Sequence, residues 1–122
     1  MSIEINEEIS RNFHLFWDNY PAPVMLIQKD RTILGVNKAA LAAGYPVGVR
    51  CIDLGEKKHH EGCAADQALQ EGKAVRAVVY LAHLGIVGAV NWIPLAGSSD
   101  LFLHFIDDLT EHASERLFPA KA

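Results

Sequence analysis

Apolar residues recur at three- and four-residue spacing near the start of the chain: Ile5, Ile9, Phe13, Phe16, Trp17 and Tyr20. That spacing predicts one amphipathic helix with a broad aromatic stripe. Asn6 stands where a side chain can cap it. Glu7 and Glu8 fall in the first turn, where the positive end of the helix dipole favours carboxylates. Pro21 and Pro23 end the helix, because a residue before proline is driven out of the helical region. So wide a stripe needs a surface, and two are available: the domain's own sheet, or a second copy of the chain.

Beyond Pro23 the period shortens. Val24 to Ile27 and Thr32 to Val36 read as a hairpin around the polar turn Lys29-Asp30-Arg31. Asn37 then caps a short alanine-rich helix, Lys38 to Ala43, closed by Gly44, and Tyr45 to Gly48 is loop. The stretch from Val49 to Glu61 is polar and without period. Gly62 to Glu71 regains helical spacing through Cys63, Ala64, Gln67, Ala68 and Leu69, with Gly72 as terminator. Three strand-like runs follow, Ala74 to Ala82, Val87 to Leu95 and Leu101 to Asp107, separated by Gly- and Ser-containing turns. A polar tail from Thr110 to Leu117 is expected to be helical, with Pro119 and beyond frayed. Five strands joined as hairpins, with helices gathered between the second and third, predict an α+β fold: an antiparallel five-stranded sheet with helices on one face and a flanking N-terminal helix.

Length and charge narrow this picture. With 122 residues there is room for one domain. Its expected parts are the helix at 1–20, a core at 21–111 and an output helix or tail at 112–122. A formal net charge of −4 gives no reason to expect nucleic acid or an anionic membrane as partner. The densest basic pair, Lys57-Lys58, is flanked by Glu56 and Glu61 and reads as a solvated loop. The N-terminus lacks the basic-then-apolar order of a secretory signal. The longest apolar runs, Pro21 to Ile27 and Ile86 to Leu95, fall short of the roughly 20 residues that span a bilayer. A soluble, cytoplasmic protein is therefore expected, and in that setting two cysteines do not form a disulfide framework.

The densest candidate chemistry is His59-His60-Glu61-Gly62-Cys63, with Cys51 upstream. His60-x-x-Cys63 has the spacing that lets two side chains turn toward one ion, and Cys51, His59 or Glu56 could complete the shell. Thiolate and imidazole favour zinc or iron over magnesium or calcium. A cysteine near a helix start also suits redox chemistry, and the two cysteines could pair if their Cα atoms lie within about 7 Å. Against this stands a structural reading: solvated histidines in a charged loop, and cysteines packing helix against sheet.

On the strands, Met25, Ile27, Leu34, Val90 and Phe102 are apolar pocket candidates, with Asn91 or His104 adding polarity. His104 shares a face with Phe102 and Ile106 by two-residue alternation, and it could be a ligand contact, a haem ligand or a hydrogen-bonded core histidine. Asn91 and Trp92 point to opposite faces, so one of them is inward. His14 lies beside the aromatic stripe, and His83 sits in a turn. No nucleophile elbow, phosphate loop or dinucleotide fingerprint is present; Gly85-Ile86-Val87-Gly88 lies between strands and lacks the following helix. Asp107 and Asp108 face opposite ways and cannot share a substrate.

Two local sequences carry a resemblance. Val36-Asn37-Lys38-Ala39-Ala40 with Gly44-Tyr45 resembles the hairpin exit and asparagine-capped helix of PAS domains. Asp108-Leu109-Thr110-Glu111 is similar to the Asp-aliphatic-Thr motif that leads from their last strand to the output helix. The resemblance spans Phe13 to Glu111. It implies a sheet curved round a small pocket, and a signal leaving through the helix after the last strand, here His112 to Leu117, usually within a dimer. The cysteines resemble a PAS subgroup with one cysteine after the first short helix and a Cys-x-x-Cys opening the next. Cys51 and Cys63 fit the outer positions, His60 replaces the middle cysteine, and Ala64 stands where proline often follows.

The expectation is thus a non-enzymatic sensory domain that binds a small molecule, or dimerises through its N-terminal helix, and relays a signal to a partner protein. A metal- or redox-sensing version would use Cys51, His59, His60 and Cys63, with zinc or iron ahead of haem. The third alternative, a small α+β enzyme acting through a histidine, has no substrate class to recommend it.

Overall fold

A computed structural model describes residues 7–55, 60 and 63–113 of the chain. The elements run α1 (Glu7–Trp17), β1 (Val24–Gln28), β2 (Ile33–Val36), α2 (Lys38–Ala42), α3 (Ala65–Glu71), β3 (Val75–Leu81), β4 (Ile86–Pro94) and β5 (Leu101–Asp108), with single 3-10 turns at Cys51–Asp53 and Thr110–His112. The strands form one antiparallel sheet in the order β2-β1-β5-β4-β3. The expected α+β class and five-stranded sheet are what the chain forms. The cap at Asn6, the Lys57-Lys58 pair with its flanking glutamates, and the expected helix beyond Ala113 lie outside the described residues.

Alternation along the strands gives the sheet two apolar faces. Ile27, Ile33, Val36, Val90, Trp92 and Phe102 pack against Ala40 of α2 and Ala65, Ala68 and Leu69 of α3. Val24, Leu26, Leu101 and Phe105 point the other way and receive Phe13 of α1. The small residues on α2 and α3 let those helices approach closely, so Trp92 and Phe102 can fill the layer between. A bulge between Leu26 and Ile27, where the register on β2 jumps from Gly35 to Ile33, explains a break in the two-residue pattern. It puts Ile33 and Val36 on the same face although they are three apart, and it turns Leu34 toward α1.

The N-terminal stripe divides. Ile9, Phe13 and Trp17, four apart, face the sheet. Leu15 and Phe16 remain 73% and 75% exposed. Trp17, Tyr20 and Phe105 form a trio with each pair of ring centroids 5.4 Å apart, in tilted or edge-on contact. The Tyr20 hydroxyl donates to Asp107 across that trio. This bond, followed by burial, raises the phenol pKa to about 12, so the hydroxyl keeps its proton throughout the neutral range.

Asn37 ties these parts together. Its side-chain oxygen accepts from the Ala40 N–H, capping α2, and from the Val24 N–H at the start of β1, both at 2.9 Å. Its amide nitrogen donates to the carbonyls of Trp17, the last residue of α1, and Ala22, both at 3.0 Å. The residue is 1% exposed and uses both donors and two acceptor sites.

The polar middle segment also pairs. The Ile33 N–H donates to Val49 at 2.8 Å and the Cys51 N–H to Arg31 at 2.9 Å, which covers the open edge of β2. The start of this stretch, without period in the sequence, thus pairs with the β1–β2 hairpin and positions Cys51.

Two substitutions check this packing by urea unfolding. Asn37→Ala removes a helix cap and strands buried partners, at a cost of about 3 kcal/mol. At Gly88 an added Cβ would lie 2.7 Å from Ile106 Cγ2 and 3.1 Å from Leu81 Cδ1. Gly88→Ala is therefore expected to cost about 1–3 kcal/mol by overpacking. A near-neutral result for either would mean that the contacts described here carry little of the stability.

Candidate functional site

The chemistry-bearing side chains gather beneath α3, at one end of the face that α2 and α3 cover. Arg31 is central. It sits in the β1–β2 turn with φ +79, a left-handed conformation uncommon outside glycine. The turn is held by Arg31 N–H to Gln28 O at 2.7 Å and Thr32 N–H to Asp30 Oδ1 at 2.9 Å. The guanidinium folds inward over the Phe102 ring, 5.8 Å from its centroid, and meets Asp66 of α3 at 3.1 Å. The pair is asymmetric: the Arg31 side chain is 13% exposed and that of Asp66 70%.

Cys51 adjoins Arg31 through the backbone, its N–H donating to the Arg31 carbonyl. It is half-buried and free, whereas Cys63 is exposed and free. Burial, reinforced by the nearby Cys63, pushes the Cys51 thiol up to about 11, so it stays protonated at neutral pH. His60 bonds the Leu54 carbonyl at 2.6 Å through Nε2. A carbonyl only accepts, so Nε2 carries the proton.

On β5, His104 stacks on Trp92 of β4, with ring centroids 5.4 Å apart and planes 24° from parallel. Its Nδ1 donates to the Asn91 carbonyl at 2.9 Å, which leaves Nε2 as the free acceptor of the neutral ring. Burial holds the His104 pKa below the usual histidine value, and the charges of His60 and Arg31 push the same way. The bond to Asn91 opposes them.

No family model matches the sequence, and no curated protein does either. Solved structures do. A domain of an HTR-like protein from Haloarcula marismortui is 22% identical, with 74% of this chain and 99% of that one covered at a TM-score of 0.60. A sensory box sensor histidine kinase from Vibrio cholerae is 13% identical, with 88% and 98% covered at 0.59. The PAS domain of the histidine kinase ThkA is 21% identical, with 71% and 99% covered at 0.55. The chain has the PAS fold.

Within the PAS fold the two motifs acquire geometry. Asn37 is the buried junction already described. At the exit, the Asp108 carboxylate accepts from both the N–H and the hydroxyl of Thr110. These bonds hold the carboxyl below its ordinary pKa. The Thr110 hydroxyl oxygen in turn accepts the Val87 N–H at 3.1 Å, and the Leu109 N–H donates to Val87 O at 2.8 Å. The motif therefore fastens the end of β5 to the start of β4.

The seven expected pocket residues divide between the faces. Met25, Ile27, Val90, Phe102 and His104 lie on the side of α2 and α3. Leu34 lies on the α1 side because of the bulge, and Asn91 does too, opposite Phe105 in the register. Asn91 is buried, with its amide turned back to the Ala89 carbonyl at 2.9 Å, so Trp92 is the inward residue of that pair. Asn91 reaches His104 through its backbone instead.

Of the four expected metal ligands, Cys51, His60 and Cys63 are brought to one neighbourhood, and His59 lies outside the described residues. Among the described residues no three His, Cys, Asp or Glu side chains converge as a metal shell. The Arg31 guanidinium in the same region is paired with Asp66 of α3, the helix that follows Cys63.

Arg31 and Asp66 were missing from the sequence-based site. Arg31 was legible only as a turn residue, since nothing in the sequence says that its side chain folds inward.

His104 gives a pH-dependent signature. A histidine whose folded pKa is depressed adds stability that is complete above the ordinary value of 6.5 and is lost as pH falls from there through the lowered folded value. Unfolding free energy is expected to fall on acidification below that value, and His104→Gln should flatten the slope. An unchanged slope in the variant would assign the pH dependence elsewhere.

Proposed function

We propose that the chain is a sensory domain of signal transduction, in which a change at the face under α2 and α3 is passed to α1 and to the segment after β5. The observation that carries this reading is the Asn37 junction. One buried side chain holds the last carbonyl of α1, the first amide of β1 and the N-terminus of α2. A displacement of α2 by a small molecule would pull on α1 through hydrogen bonds, with no loop to absorb it. Met25, Ile27, Phe102 and His104 are the residues such a molecule would meet. The parts would then be α1 within 1–20, the core at 21–111 and an output segment at 112–122. The PAS-fold neighbours named as histidine kinases supply the analogy for the output, a partner protein or domain that reads the position of the termini. No step in this relay requires catalysis.

In the same reading α1 pairs with the α1 of a second copy. Leu15 and Phe16 expose large apolar surface on α1. Beside them a groove of about 220 Å³ opens between α1 and the sheet, lined by Ile9, Phe16, Trp17, Leu95 and Leu103 with Asn12 as its polar member. Two such helices laid together would cover both side chains and the groove. Among the described residues no helix is long and apolar enough to cross a membrane, so a bilayer-spanning α1 is not the alternative.

Sedimentation equilibrium tests the pairing. The chain is expected to dimerise, and Leu15→Glu with Phe16→Glu should shift it to monomer while leaving thermal stability within about 0.5 kcal/mol, as for exposed sites. A chain that stays monomeric at high concentration, or a double variant that remains a dimer, would remove α1 as the interface.

A further inference from the structure

We propose that the outer edge of β3 takes an extended, acidic segment of a partner protein as a further strand of the sheet, antiparallel to β3. The proposal goes beyond the relay described above and does not depend on α1 pairing. The sheet has two edges, β2 and β3. The β2 edge is closed by the chain around Val49 and Cys51. The β3 edge is open. Val75–Leu81 pairs with β4 in unbroken register, and along such a ladder the N–H and C=O groups point alternately to either side. Half of those on β3 therefore face away from β4. Among the described residues, the only backbone bonds to β3 from outside that ladder are those of Leu84 and Gly85 to the Leu81 carbonyl, in the turn.

Sheet edges are ordinarily blunted by proline, a bulge or a lysine within the strand. Val75–Leu81 has none of these. Val75, Ala77 and Leu81 pack on the α2–α3 side, where Val79 joins them by alternation, and Arg76 and Val78 take the other face. Val78 and Val79 are 42% and 41% exposed, so apolar surface is left on both faces of the edge. An added strand would cover both valines and pair the outward backbone groups.

Charge selects the occupant. From Gly72 to Leu95 there is no aspartate or glutamate, whereas Lys73 precedes β3 and Arg76 lies in it, both exposed. Neither makes an ion pair among the described residues. In a chain of net charge −4 this edge is locally cationic. A second copy of β3 would double the cations along the seam and bring no carboxylate to them. A foreign strand with carboxylates opposite Arg76 and Lys73 would pair both, and β-branched residues before them would lie against Val78 and Val79. Backbone bonds then supply affinity, and the carboxylate pattern supplies selectivity.

The test titrates the peptide TTVITEVTE, whose glutamates align with Arg76 and Lys73, into the isotope-labelled full chain and follows the amides by NMR. Expected are shift changes centred on Val75–Leu81, and affinity about tenfold weaker when both glutamates are replaced by lysine. Arg76→Glu should reverse that preference. N-methylation of alternate peptide residues should abolish binding for one alternate set and spare it for the other. If Arg76→Glu does not fold, Lys73→Glu and the N-methylated peptides on the unsubstituted chain decide. No binding at about 1 mM peptide would overturn the proposal, as would equal affinity for the lysine peptide or equal tolerance of both N-methylated sets. Shift changes centred on the groove beside α1 would overturn it too. So would changes at β3 on concentrating the chain without peptide, which would make a second copy the occupant.

Discussion

The end of α1, the start of β1 and the start of α2 meet at the Asn37 side chain. A carboxamide carries two donors and an oxygen with two acceptor positions, and here all are spent on backbone groups from three separate elements. No other side chain of similar size offers that combination. Aspartate keeps the acceptors and turns a negative charge on the Trp17 and Ala22 carbonyls; leucine keeps the volume and strands all four partners. Since unpaired polar groups are costly in a buried site, the junction fixes where α1 ends, where β1 begins and where α2 starts. The two-faced sheet, with α1 on one side and α2 and α3 on the other, follows from those three points.

The fold was legible wherever a short-range signal was strong. The helix stripe, the Asn37 cap, the Gly72 terminator (left-handed, φ 64) and the strand runs all rest on contacts within a few residues. Less was visible where one strand departs from a regular period. The bulge opposite Leu26 and Ile27 reverses the face of Leu34, and no composition rule announces it. The pairing of Val49 and Cys51 against β2 was hidden for a related reason, because edge coverage by irregular chain leaves no alternation to read.

The candidate site was half legible. Cysteine and histidine spacing drew attention to Cys51, His60 and Cys63, which do share one neighbourhood. What spacing could not show is that Arg31, 20 positions before Cys51 in the chain, folds its side chain inward from a left-handed turn to meet Asp66. His104 and Trp92 complete the wall as a stacked pair, their rings set by direct cross-strand register.

The central claim is that one buried carboxamide couples α1 to α2. Native-state hydrogen exchange, residue by residue, on the unsubstituted chain and on Asn37→Ala tests it most directly. The account predicts that amides in the last turn of α1, that of Leu41 in α2 and that of Ala43 at the C-cap of α2 lose protection together, while β4 and β5 keep theirs. Loss confined to α2, with α1 protected as before, would contradict it: Asn37 would then be a helix cap and no more.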